Sequence, residues 1–176
     1  MKSATAAREP EELDPPRRLI IGIGEFAVSN RPGDVIVTHA LGSCIAVCLY
    51  DPTGPVAGML HFLLPDAAIN PERAAQQPAA FADTGIPLLF RTAYEYGLDK
   101  TQAVVKLVGG AEMAQATGGP GFNTGRRNAL AAKNVLWRNG VFVGAQDVGG
   151  TDARTLHLSV ADGRLRIFNG HAFKEI

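Results

Sequence analysis

Cys44-Ile45-Ala46-Val47-Cys48-Leu49-Tyr50 is an almost unbroken apolar run. That composition suits a strand buried on both faces better than one with a wet side. A glycine-containing turn, Ala40-Leu41-Gly42-Ser43, precedes it, and Asp51-Pro52-Thr53-Gly54 turns the chain after it. Residues 56–64 then return as a second strand, so the two runs predict a hairpin with Cys44 at one end. Upstream, Val35-Ile36-Val37-Thr38 reads as a short strand.

Working outward, residues 66–82 are rich in Ala, Pro, Gln and Asn and read as a long loop. A helix is expected from about Asp83 or Thr84, because Ile86, Leu89, Phe90, Ala93 and Tyr96 fall on one face. Pro87 fits its first turn and Gly97 its end. Val104-Val105-Lys106-Leu107-Val108 reads as a strand. A second helix is expected over residues 125–139, with Ala129, Ala132 and Leu136 inward and Gly140 as the stop. Residues 141–146 read as a further strand. Leu156, Leu158 and Val160 alternate with polar neighbours, Asp162-Gly163 turns the chain, and Leu165 and Ile167 continue on the partner strand. The expected fold is a single α/β or α+β domain: a layered sandwich in which two main helices pack on a twisted mixed sheet. Residues 1–18 are polar, with Glu9-Pro10-Glu11-Glu12 and Pro15-Pro16-Arg17-Arg18, and read as a flexible tail; the domain is expected over residues 19–176.

Composition narrows the function. Lys plus Arg and Asp plus Glu are 17 each, so the formal net charge is zero and the basic footprint of a nucleic-acid binder is missing. The apolar runs are too short to span a bilayer, and residues 1–18 carry no secretory apolar core, so no membrane insertion is expected. Two cysteines, spaced four apart on one strand, share a face but lie too far apart to bridge. Reduced thiols in the cytoplasm are the expectation.

The chemistry gathers at Thr38-His39-Ala40-Leu41-Gly42-Ser43-Cys44. A thiol just after a turn, at the head of a buried strand, is held rigidly, with backbone N–H groups nearby to receive an oxyanion; Gly42 and Ser43 are the candidates. The hairpin sets Cys44 roughly opposite His61, so an imidazole can reach the sulfur. Thr38 can supply a hydroxyl that orients the imidazole. On residue pattern alone, a Cys at a strand start is more often a small buried hydrophobe, and a His in an apolar hairpin more often a satisfied core residue. His39 competes as a base. Cys48 belongs to the core.

Thr38-x-x-Leu-Gly-Ser-Cys44, then residues 46–51, then Gly58-Met59-Leu60-His61-Phe62-Leu63-Leu64-Pro65, resemble the CheD family of chemoreceptor glutamine deamidases. Further segments resemble that family in the same order: Gly24-Glu25-Phe26-Ala27-Val28-Ser29, Lys106-Leu107-Val108-Gly109-Gly110-Ala111-Glu112-Met113, Gly125-Arg126-Arg127-Asn128 and Asp147-Val148-Gly149-Gly150. Val108 stands where an aromatic residue is usual, and Ala153-Arg154 where a glycine–arginine pair is common. The resemblance implies a Cys44–His61–Thr38 catalytic set with no cofactor and no metal. It also implies methyl-accepting chemotaxis receptors as substrate, met through a helical cytoplasmic segment, and docking to a CheC-type phosphatase. The implied reaction is acyl transfer from a glutamine carboxamide through a Cys44 thioester.

Two other readings are weaker. Gly118-Gly119-Pro120-Gly121-Phe122-Asn123-Thr124-Gly125 lacks the lysine and hydroxyl ending of a phosphate-binding loop, and reads as a structural or substrate-contacting loop. Cys44, Cys48 and His61 lack a fourth ligand for zinc.

Overall fold

The computed structural model describes residues 15–112 and 123–176. They form three layers. The first is a five-stranded sheet in the order β1 (Arg18–Ile21), β3 (Val35–Leu41), β8 (Arg154–Ser159), β9 (Leu165–Phe168), β10 (Phe173–Glu175). The second runs β2 (Glu25–Ser29), β5 (Val56–Phe62), β4 (Ile45–Asp51), β6 (Val104–Gly109), β7 (Val143–Val148). The third holds the helices α2 (Ala82–Glu95) and α3 (Thr124–Arg138). Pairing is antiparallel except for β1 with β3 and β6 with β7, the latter pair joined through α3.

The α/β class, the two main helices and the layering agree with expectation; the strands, however, divide between two sheets rather than one. Alternation explains the arrangement. On β4, Ala46 and Cys48 point toward the first sheet and pack with Ile36, Leu156, Leu158 and Ile167. Ile45, Val47 and Leu49 point the other way, onto Ile86, Leu89, Ala132 and Leu136 of the helices. Every residue of β4 but Tyr50 is buried, and every residue of β5. The apolar run at 45–50 is the signature of this middle position.

Three local expectations change. The loop over 66–82 contains a short helix α1 (Pro71–Gln76), capped by the Asn70 side chain, which accepts from the Arg73 N–H, with Pro71 in its first turn. β3 continues past Thr38 to Leu41, with an irregularity in its pairing to β8 where Ala40 takes a left-handed φ of 54°. Residues 1–14 of the expected tail lie outside the described residues, while Arg18 opens β1 and Arg17 pairs with buried Asp34 at 2.6 Å. Residues 118–122 of the glycine-rich stretch also lie outside the described residues.

Candidate active site

Thr38 comes from the first sheet, His61 from the second, and their side chains meet between the layers. Thr38 Oγ1 lies 2.8 Å from His61 Nδ1 and 2.9 Å from the Ile21 carbonyl oxygen. The carbonyl can only accept, so the hydroxyl gives its one proton to Ile21. Its lone pair then accepts from His61, which places the imidazole proton on Nδ1. His61 Nε2 is left as a bare acceptor. It makes no hydrogen bond to protein, one of two such buried side-chain atoms among the described residues. Burial brings the imidazole down from 6.5 to about 4, so at neutral pH it is an uncharged base.

The hairpin register sets His61 opposite Ala46, with Ile45 opposite Phe62. The expected pairing of Cys44 with His61 is therefore off by two residues, because the turn closes with Asp51 opposite Val56. An even slip keeps both side chains on one face. Cys44 packs with the cluster between the sheets, on the His61 side, one diagonal step away at roughly 7 Å between β-carbons. The sulfur and the imidazole make no hydrogen bond in this arrangement. Burial pushes the Cys44 thiol above its ordinary value, and its own backbone N–H, lying against the sulfur, pulls the other way. The resting pair is thus a neutral thiol and a neutral imidazole.

The backbone on both sides of Cys44 is held. The Gly110 N–H donates to the Cys44 carbonyl at 2.7 Å, and the Ala111 N–H to the Gly42 carbonyl at 2.9 Å. A β-carbon at Gly109 would stand 2.3 Å from the Cys44 carbonyl oxygen, and its φ of 116° also favours glycine. On the helix side, Asn128 donates to the carbonyls of Ser43, at 3.0 Å, and Leu63, at 2.8 Å. Glu112 and Gly149 tie this loop to the turn after β7, where Arg154 grips Asp147 and the Gly149 carbonyl. Arg154 keeps the arginine of the expected pair and staples β7 to β8 across the two sheets.

His39 is exposed and away from this cluster, whereas Cys48 is buried within the core, its thiol pushed up to about 12. Both cysteines are free thiols. Residue pattern did not single out Asn128 or the Gly109-Gly110 loop; their signal was only their place in motifs.

Comparison with known proteins adds the family. Residues 63–169 match the family model described as CheD chemotactic sensory transduction. The chain belongs to the CheD family. The match begins two residues past His61, so it spans Asn128 and the Asp147 turn rather than the Thr38–Cys44 segment. Whole-chain relatives reach further. A probable chemoreceptor glutamine deamidase CheD 2 of Anaeromyxobacter dehalogenans is 48% identical over 150 residues, covering 85% of this chain and 93% of its own. CheD 1 of Syntrophus aciditrophicus, named likewise, is 42% identical over 147 residues, covering 84% and 91%. A third, from Solibacter usitatus, is 38% identical over 161 residues, covering 90% and 93%.

Proposed function

We propose that this CheD-family protein deamidates glutamine side chains of chemoreceptors, with Cys44 as nucleophile, His61 as base and Thr38 as the group that sets the imidazole tautomer. The observation that carries the reading is the Thr38–His61 pair: it leaves an unprotonated Nε2 on the face that holds the thiol. The relatives' names supply the substrate.

Because the thiol and imidazole rest uncharged, proton transfer accompanies attack. Cys44 Sγ bonds to the carboxamide carbon while its proton passes to His61 Nε2. The carbonyl electrons move to oxygen, where the Cys44 N–H, and the backbone around Gly42 and Ser43, receive the charge. Collapse breaks the C–N bond, and His61 returns its proton to the departing ammonia. Water, deprotonated by the same nitrogen, cleaves the thioester to glutamate and restores the thiol. The sulfur must close the diagonal gap to the imidazole, one rotamer change for a side chain with a single χ angle.

Among the described residues no helix is long and apolar enough to cross a membrane. We place the protein in the cytoplasm, where two free thiols persist and receptor helices are reached. A CheC-type phosphatase is a second partner by resemblance, tested by pull-down. Turnover is tested with a glutamine-bearing receptor fragment: ammonia is released and mass spectrometry finds glutamate at defined sites. Cys44→Ala and His61→Ala abolish this while remaining folded. Full activity in Cys44→Ala ends the proposal.

A further inference from the structure

The mechanism above does not use Asn128, a buried polar residue whose hydrogen-bond partners flank the site. Asn128 is fully buried on α3, in the layer behind the second sheet. Its amide nitrogen donates to the Ser43 and Leu63 carbonyls, 85 and 65 residues away in the chain. Ser43 precedes the proposed nucleophile, and Leu63 lies two residues beyond the proposed base. One side chain therefore ties the thiol's loop to the imidazole's strand.

The tie also sets a direction. In a planar trans peptide the carbonyl and the following N–H point opposite ways. Asn128 draws the Ser43 carbonyl toward the helix layer. The N–H of Cys44 in the same peptide must then face the gap between the sheets, where the sulfur and His61 lie. On the other flank, Gly110 holds the Cys44 carbonyl, so neither peptide plane can turn alone. We infer that Asn128 is a positioning residue for deamidation, turning the Cys44 N–H into the place where the oxyanion forms and fixing the nucleophile's loop to the base's strand.

This inference rests on the deamidase reading. Asn128→Ala and Asn128→Ser, which keeps one donor, are compared with Leu136→Ala, which loosens α3 in the core without touching the clamp. Ammonia release from the receptor fragment is measured for each, alongside Tm. The expected result is a kcat about 100-fold lower in Asn128→Ala, as for loss of an aligned oxyanion donor. KM stays within about threefold. Asn128→Ser is intermediate, and Leu136→Ala keeps kcat despite its lower Tm. A folded Asn128→Ala, or Asn128→Ser should the former not fold, with kcat within about threefold of the parent overturns the inference alone. So does an equal kcat loss in Leu136→Ala. A parent chain no more active than Cys44→Ala overturns the deamidase reading, and the inference with it.

Discussion

Thr38→Val replaces the hydroxyl with a methyl of nearly the same shape, so it opens no cavity and isolates the hydrogen bonds. Two partners are lost, the His61 Nδ1–H at 2.8 Å and the Ile21 carbonyl at 2.9 Å, both to a residue with no exposed surface. Leaving a buried donor or acceptor unmatched costs about 1–3 kcal/mol. The pair together therefore costs roughly 2–6 kcal/mol of stability, which a domain in the upper part of the usual range of about 5–15 kcal/mol can absorb at low temperature. The kinetic effect is separate. Without the acceptor at Nδ1, nothing holds the proton there, and the imidazole is free to carry it on Nε2, where it cannot act as base. An orienting bond worth about 2–3 kcal/mol lowers the rate roughly 30- to 150-fold. Ammonia release at a temperature where the variant is folded reads this directly. Thr38→Ser, which keeps both bonds, restores most of the rate. Nitrogen NMR of His61 should show Nδ1 protonated in the parent and the tautomers mixed in Thr38→Val. A Thr38→Val enzyme within about threefold of the parent, or a parent protonated at Nε2, would refute the assignment of Thr38.

Three further outcomes are expected. The acid limb of kcat/KM falls near pH 4 rather than 6.5, because burial holds His61 uncharged; a limb at 6.5 is the contrary result. The same shift makes stability full above pH 6.5 and progressively lost toward about 4, since the unfolded chain takes up a proton that the folded one refuses. This amounts to about 3 kcal/mol and is absent in His61→Gln when urea midpoints are compared across that range. Gly109→Ala forces a β-carbon onto the Cys44 carbonyl, whereas Gly97→Ala, at a φ of 98° with nothing within 4 Å, bears backbone strain only. The former should lose about 2 kcal/mol more stability and most of its turnover; equal losses in urea titration would contradict the close approach.

Much of the site was legible because it sits on the strands with the plainest pattern. The run at 45–50 is apolar on both faces since β4 lies between two layers, and the two-residue alternation along the hairpin puts Cys44 and His61 on one face. The two-residue error in register did no damage, as parity decides the face. The division of the strands between two sheets was not legible. Leu156, Leu158, Leu165 and Ile167 announce one buried face but not what covers it, and the parallel pairing of β1 with β3 joins segments that no turn connects. The helix α1 buries nothing, so it leaves no apolar period; Asn70 and Pro71 set it instead. Asn128 showed only as part of a motif, for a different reason. Its partners are carbonyls far along the chain, and a carbonyl has no sequence signature.

The buried polar groups at the site share a logic that distinguishes them from the rest of the core. Thr38 stands in the first sheet, His61 and the Cys44 loop in the second, and Asn128 in the helix layer, so the site is assembled across every layer. Each donor whose partner is known has one: the hydroxyl on Ile21, Nδ1–H on the hydroxyl, the Asn128 amide on two carbonyls. Among the described residues, the two buried side-chain atoms left unmatched, His61 Nε2 and Asn128 Oδ1, are both acceptors. A core selected for stability alone would bury neither, because each costs about 1–3 kcal/mol. Elsewhere the buried polar side chains are closed off, Asp34 by Arg17 and Ser29, Asp51 by Thr53 and Asp99, Arg154 by Asp147. His61 Nε2 opens into the gap between the sheets that also holds the Cys44 thiol, Asn128 Oδ1 lies in the helix layer behind the nucleophile's loop, and the apolar layers on either side of the second sheet supply the stability that such an arrangement forgoes.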